Sequence, residues 1–208
     1  MKKGLKMGNI RTTIECELLN EKGEVVQRYE QRSRSYLRTF AAIWRAILEV
    51  TPNGGIQNVV MEDTGGYERT FWYSVAGYFG QWHAAGAPIN NADYGVTVGT
   101  GTTPVTPHDY RLSAKISHGS ASGQLSYQGS STDPVTVDGQ KSEFIQRRAW
   151  YNESDAQITV KEVGIVLAMI DIANGQRYIL ILRDILGTPL DVDIGYTLTI
   201  RIKTTVTA

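Results

Sequence analysis

Residues 197–207 place the tightest constraint on what this chain can fold into. Leu198, Ile200, Ile202 and Val206 alternate with Thr197, Thr199, Arg201, Lys203, Thr205 and Thr207, and a period of two puts the two sets on opposite faces of an extended strand. Such a strand needs neighbours to pair with and an apolar layer under one face. The other end of the sequence repeats the pattern. Ile10, Ile14, Cys16 and Leu18 alternate with Arg11, Thr13, Glu15 and Glu17, and Lys22-Gly23 reads as a hairpin turn into Val25, Gln27 and Tyr29.

One stretch follows a different period. Tyr36/Leu37, Phe40/Ala41, Ile43/Trp44 and Ile47/Leu48 recur every three to four residues from Ser35 onward, which predicts a helix with a wide apolar stripe lying in a groove or against a sheet. Ser33 or Ser35 can cap its start, and Thr51-Pro52-Asn53-Gly54-Gly55 stops it. From Gly54 to Tyr94 no clean period emerges, although Thr70 to Val75 suits a short strand. This excursion carries Tyr67, Phe71, Trp72, Tyr73, Tyr78, Phe79 and Trp82. Exposed aromatics anchor interfaces, and buried ones complete a core; both readings stand for this segment.

The remainder is strand-rich. Tyr94 to Val98 is a strand that runs into Gly99-Thr100-Gly101-Thr102-Thr103-Pro104 and Thr106-Pro107-His108-Asp109-Tyr110, where two prolines without donors demand a surface connection. Residues 116–127 are a further, interrupted strand segment, residues 128–134 a loop, and Asp138-Gly139 a turn. Residues 144–151, 157–163, 164–170 and 178–183 favour strands, separated by Asn152-Glu153-Ser154 and Asn174-Gly175. The expectation is a mainly β chain: an antiparallel β-sandwich, jelly-roll-like, with one N-terminal α-helix. It forms a single domain over residues 1–208, with residues 1–53 as hairpin plus helix and 54–93 as the aromatic, glycine-rich excursion.

Charge narrows the function. Lys+Arg and Asp+Glu both number 21 in 208 residues, and a balanced chain lacks the basic excess from which nucleic-acid binders draw most of their affinity. Zero net charge also removes the long-range repulsion between copies. The lone Cys16 excludes an intramolecular disulfide and reads as a small buried hydrophobe. Met1 to Asn9 is basic, but no apolar run of signal-peptide or membrane-spanning length follows, so the expected site of synthesis is a cytoplasm without membrane insertion.

Three segments in this order resemble structural proteins of tailed-phage or archaeal tailed-virus particles. The first is Glu24-Val25-Val26 with Ser35-Tyr36-Leu37-Arg38-Thr39-Phe40. The second is Tyr94 to Pro104 with Pro107-His108-Asp109-Tyr110-Arg111-Leu112. The third is Ile158-Thr159-Val160-Lys161-Glu162-Val163-Gly164-Ile165, continuing through Leu182-Arg183-Asp184-Ile185-Leu186 and residues 189–202. The resemblance implies a virion component of the tail-fibre, baseplate or capsid-surface type and an oligomer whose partners are itself and other virion proteins. It carries over no catalytic residue, and the long repetitive shaft of a fibre is missing.

Reactive constellations are sparse. His83, His108 and His118 have no histidine or cysteine at ligand spacing. No Gly-x-Ser-x-Gly elbow is present, and Gly99-x-Gly101 lacks the rest of a phosphate-binding fingerprint. Glu62, Asp63 and Glu68 lie near aromatics that could stack sugars, and Asn152-Glu153-Ser154 matches a glycosylation acceptor read here as a turn. The reading is a non-enzymatic subunit with no cofactor or metal, whose contacts are Phe71, Trp72, Tyr73, Tyr78, Phe79, Trp82, Arg201 and Lys203. The rivals are a filament subunit that exchanges its terminal strand, and a carbohydrate-binding module or glycan-cleaving enzyme using Trp72 and Trp82, with a host-surface glycan as a further partner.

Overall fold

In the computed structural model, which describes residues 9–48, 57–73 and 86–207, the strand at residues 197–207 is the centre of a sheet and not an edge. The elements are β1 (Asn9–Leu19), β2 (Val25–Arg32), α1 (Arg38–Leu48), β3 (Gln57–Glu62), β4 (Glu68–Tyr73), β5 (Gly95–Gly99), β6 (Ser126–Tyr127), β7 (Ser131–Thr132), β8 (Thr136–Asp138), β9 (Lys141–Tyr151), β10 (Ile158–Ile170), β11 (Gln176–Val192) and β12 (Thr197–Thr207). One sheet runs β2-β1-β12-β9-β6, with β7 and β8 also lying along β9; a second runs β11-β10-β5; β3 and β4 form a separate hairpin. Every pairing between these strands is antiparallel.

The two larger sheets share one core, which makes the fold sandwich-like as the alternation requires. Ile14, Cys16 and Leu18 of β1 stand opposite Ile202, Ile200 and Leu198 of β12. These six, with Trp150 of β9, pack in one cluster with Val96 and Val98 of β5, Val163 and Ile165 of β10 and Ile179 of β11. Burial, with a smaller push from Glu15, raises the Cys16 thiol to about 12, so at neutral pH it is a protonated small hydrophobe.

Three hairpins turn on the same local chemistry. The side-chain oxygens of Asn20, Asp63 and Asp171 accept the N–H groups two and four residues onward: Lys22 and Glu24, Gly65 and Tyr67, Ala173 and Gly175, all between 2.8 and 3.0 Å. The residue three onward must then turn left-handed, and it is Gly23, Gly66 or Asn174, with φ of 77°, 84° and 59°. The expected turns at Lys22-Gly23 and Asn174-Gly175 are of this kind. The turn at Asp63 is not expected from the sequence, and it makes the first part of the 54–93 excursion the β3–β4 hairpin.

The helix begins later than its apolar period suggests. Neither Ser33 nor Ser35 caps it. The Ser33 hydroxyl donates to the Asp184 carboxylate at 2.5 Å, while residues 35–37 run extended along β11, where Arg183 N donates to Ser35 O and Leu37 N donates to Ile181 O. Leu37 then supplies the first carbonyl of α1, to Phe40 and Ala41. Leu37, Ile43 and Ala46 are buried, whereas Trp44 is 54% exposed, because the stripe is wider than the face that the sheet covers. The expected stop at residues 51–55 lies outside the described residues. Two further boundaries move. Segments 157–163 and 164–170 are one continuous strand, β10, and residues 116–127 contain only β6 and isolated bridges at His118 and Leu125. Among the described residues no helix is long and apolar enough to cross a membrane.

A central β12 is indispensable to its own sheet. Deleting the residues after Tyr196 strips β1 and β9 of their shared partner, so the expected outcome is loss of the cooperative thermal transition followed by circular dichroism, together with aggregation on gel filtration. A soluble, cooperatively melting truncated monomer would contradict this placement.

Candidate functional site

The most concentrated charged chemistry lies on the outer face of the three-stranded sheet, the face turned away from β1 and β12. Glu162 of β10 is fully buried there, and its carboxylate accepts four bonds. The donors are Gly101 N at 3.2 Å, Ser113 N at 3.1 Å, Ala114 N at 2.7 Å and Arg183 Nε of β11 at 2.8 Å. Arg183, 2% exposed, donates onward from Nη1 to Asp109 Oδ2 at 2.6 Å and from Nη2 to Thr103 O at 3.0 Å. Asp109 also accepts Thr106 N and Thr106 Oγ1. Burial alone would raise the Asp109 carboxyl, but bonds from Arg183 and Thr106 outweigh it and hold the group below its ordinary range.

This arrangement explains the glycines. A Cβ on Gly99 would stand 2.5 Å from both Ala114 O and Glu162 Oε1, and one on Gly101 would collide with Glu162 Oε1 and Ser113. Gly101 N, together with Ser113 N and Ala114 N from the facing segment, thus cradles an anion with backbone N–H groups, and the anion is the chain's own Glu162. Leu112 adds an apolar seal with Leu37, Val166 and Leu180. The second and third resembling segments thus meet at one buried ion pair.

Beside this clamp, Thr64, Asp93, Thr97, Arg111, Leu112, Ser113, Lys115 and Val166 line a depression of about 380 Å³. Its charges are partly engaged, since Lys115 Nζ lies 3.6 Å from Asp93 Oδ1 and donates to Ala92 O at 3.2 Å. Ser113 Oγ is bonded to Thr103 Oγ1 at 2.9 Å, with no histidine bonded to it among the described residues.

The other large sheet holds a second buried cation. Arg148 of β9, 1% exposed, has no carboxylate partner among the described residues; its guanidinium donates to the carbonyls of Gln128, Tyr94, Val96, Pro88 and Asn91 and lies 4.6 Å over the Tyr127 ring. Burial lowers it to about 10, opposed by Tyr127 and Tyr94, so it remains charged at neutral pH. Neither cation was singled out by motif, although β parity places Arg148 on the same face as Trp150.

The residues proposed for contacts separate. Phe71 is 1% exposed and belongs to the core, so the core-completing reading applies to it. Trp72 and Tyr73 lie on β4, but their side chains, with Tyr78, Phe79 and Trp82, fall outside the described residues. Arg201 and Lys203 stand on the outer face of β12, where Lys203 pairs with Glu15 and Arg201 lies 3.9 Å from Glu17. Of the carboxylates near aromatics, Glu62 pairs with Arg38 at 2.9 Å and Asp63 with Arg69 at 2.7 Å. His118 Nδ1 accepts Tyr127 N at 3.2 Å. Asn152 is fully buried and donates to Ala156 O and Val192 O, which makes it a turn support and not a glycan acceptor. Among the described residues no group of three or more His, Cys, Asp or Glu gathers to hold a metal ion.

No protein-family model matches this chain, and the curated proteins and solved structures compared with it give no match either.

Two measurements test the clamp. Glu162→Gln should cost about 3–5 kcal/mol in urea unfolding, because it leaves Arg183 buried without its counter-ion, and Gly99→Ala about 1–3 kcal/mol through forced contact; a loss near zero for both would show that the segment is not held this way. Asp184 gives a pH signature of its own. Burial raises its carboxyl, more than the Ser33, Ser35 and Arg34 bonds lower it, so its contribution to stability is present in acid and lost as pH rises through the raised value. Asp184→Asn should therefore melt higher than wild type at neutral pH, with the difference vanishing in acid.

Proposed function

We propose that this chain is a non-enzymatic structural subunit of a tailed-virus particle, of the tail, baseplate or capsid exterior, and that it acts through contacts with copies of itself and with other virion proteins. The observation that carries the reading is the convergence at Glu162. Segments 94–112, 158–165 and 182–186, which resemble virion proteins by order and spacing, make one saturated clamp that anchors a surface segment to the sheet. Glu162 and Arg183 are fixed by neighbours in the chain and almost completely buried, which suits a rigid contact surface better than a reaction. Strand exchange through residues 197–207 is the weaker structural alternative, since it would remove a central strand from its own sheet.

Quantitative mass spectrometry of particles assembled from the genome that encodes this chain provides the test. The expected result is the chain at a fixed ratio to the major capsid protein. Particles purified to constant composition without it would overturn the proposal.

A further inference from the structure

Among the described residues, partners lie along each outer edge of the two large sheets except that of β2. The β5 edge is taken by residues 114–116, with Ile116 N donating to Val98 O and Thr100 N to Ala114 O. Residues 35–37 and the Gln31 side chain cover the middle of β11, the latter through Ile185 O and Gly187 N. The short strands β6, β7 and β8 line β9. Strand β2 remains, bonded on one side to β1 and, among the described residues, to no backbone on the other. An open strand edge is a template for another strand.

Its register can be worked out. Ser33 N donates to Thr12 O at 2.9 Å, and antiparallel ladders alternate, so odd-numbered β2 residues turn their backbone groups toward β1 and Arg28, Glu30 and Arg32 turn theirs outward. A second β2 can bond only by placing even-numbered residues opposite even-numbered ones. Three such antiparallel registers centre on the strand. Centring on Arg28 sets Arg28 against Arg28; centring on Glu30 sets Glu30 against Glu30 and Arg28 against Arg32. Centring on Tyr29 sets Arg28 against Glu30 twice, Gln27 against Gln31 twice and Tyr29 against itself. The segment Gln27-Arg28-Tyr29-Glu30-Gln31 is thus complementary to its own antiparallel copy.

The charges on the edge agree with that register. Glu30 makes no ion pair among the described residues and stands opposite Glu15 on β1, a like-charged cross-strand neighbour. Arg28 is 73% exposed in its side chain and 3.1 Å from Glu17. Across the dyad each Arg28 would lie between its own Glu17 and the partner's Glu30, so Glu30 gains a cation while Glu17 keeps its own. Charge guards an edge when like charges must meet; here the pattern attracts.

We infer that β2 is a homodimerisation edge, at which a second copy of this chain adds its own β2 antiparallel about Tyr29 to join the two sheets into one. The inference rests on the reading of the chain as a self-assembling subunit and gives that assembly its contact.

Sedimentation equilibrium on the full chain tests it. Wild type is expected to be a dimer. Arg28→Glu and Glu30→Arg each create two like-charged pairs and should raise the dimer dissociation constant roughly tenfold or more, with each variant's melting curve verifying its fold. An equimolar mixture of the two variants should recover dimers, because every facing pair is again opposite in sign, and the double variant should recover them for the same reason. A monomeric wild type, single variants that dimerise like wild type, or a mixture that fails to recover would each overturn the edge assignment. Presence in particles alongside a monomeric wild type would overturn it while leaving the subunit reading intact.

Discussion

The buried pair of Glu162 and Arg183 is the constraint on which the arrangement of the second sheet depends. A carboxylate and a guanidinium withdrawn from water contribute little net stability over well-packed apolar residues, but leaving either one alone is severely unfavourable. Only a chain path that brings Gly101 N, Ser113 N and Ala114 N to one end and Asp109 with Thr103 O to the other satisfies both. The pair therefore selects one conformation for residues 99–114, and the apolar seal of Leu112 over Gly164 follows from it, with no room there for a side chain.

Arg148 plays the corresponding part in the other sheet by a different route. Five carbonyls from residues 88–96 and 128 surround it, and carbonyl dipoles compensate a charge only when they converge. Segments with little regular structure of their own are in this way drawn to a fixed position. Each sheet holds a neighbouring irregular segment by a buried guanidinium, so these segments are ordered by polar chemistry where apolar residues are few.

Much of this was legible in the sequence, for a physical reason. Period-two alternation reports a half-buried strand directly, so the β1–β2 hairpin and β12 lie close to their expected bounds, and Asn-Gly or Lys-Gly turns mark the chain reversals; β9, expected from β-favouring composition over residues 144–151, begins at Lys141. The helix start was not legible because residues 35–37 satisfy the edge of β11, a partner distant in sequence. The β3–β4 hairpin was obscured by an Asp63 turn whose signal, a carboxylate three residues before a glycine, is short and common. At the site, Gly99 and Gly101 could be recognised as constrained, but the charge they approach lies on another strand, and no local spacing connects position 101 to 162 or 109 to 183.

The pairing of β1 with β12 joins strands far apart in the sequence, from Asn9 opposite Thr207 to Leu19 opposite Thr197. During vectorial synthesis the inward side chains Ile14, Cys16 and Leu18 have no lasting cover until β12 has been made, and a lone hairpin is marginal in water. Completion of the larger sheet is thus a late, topologically non-local event, of the kind that slows folding and leaves nascent chains dependent on protection from one another.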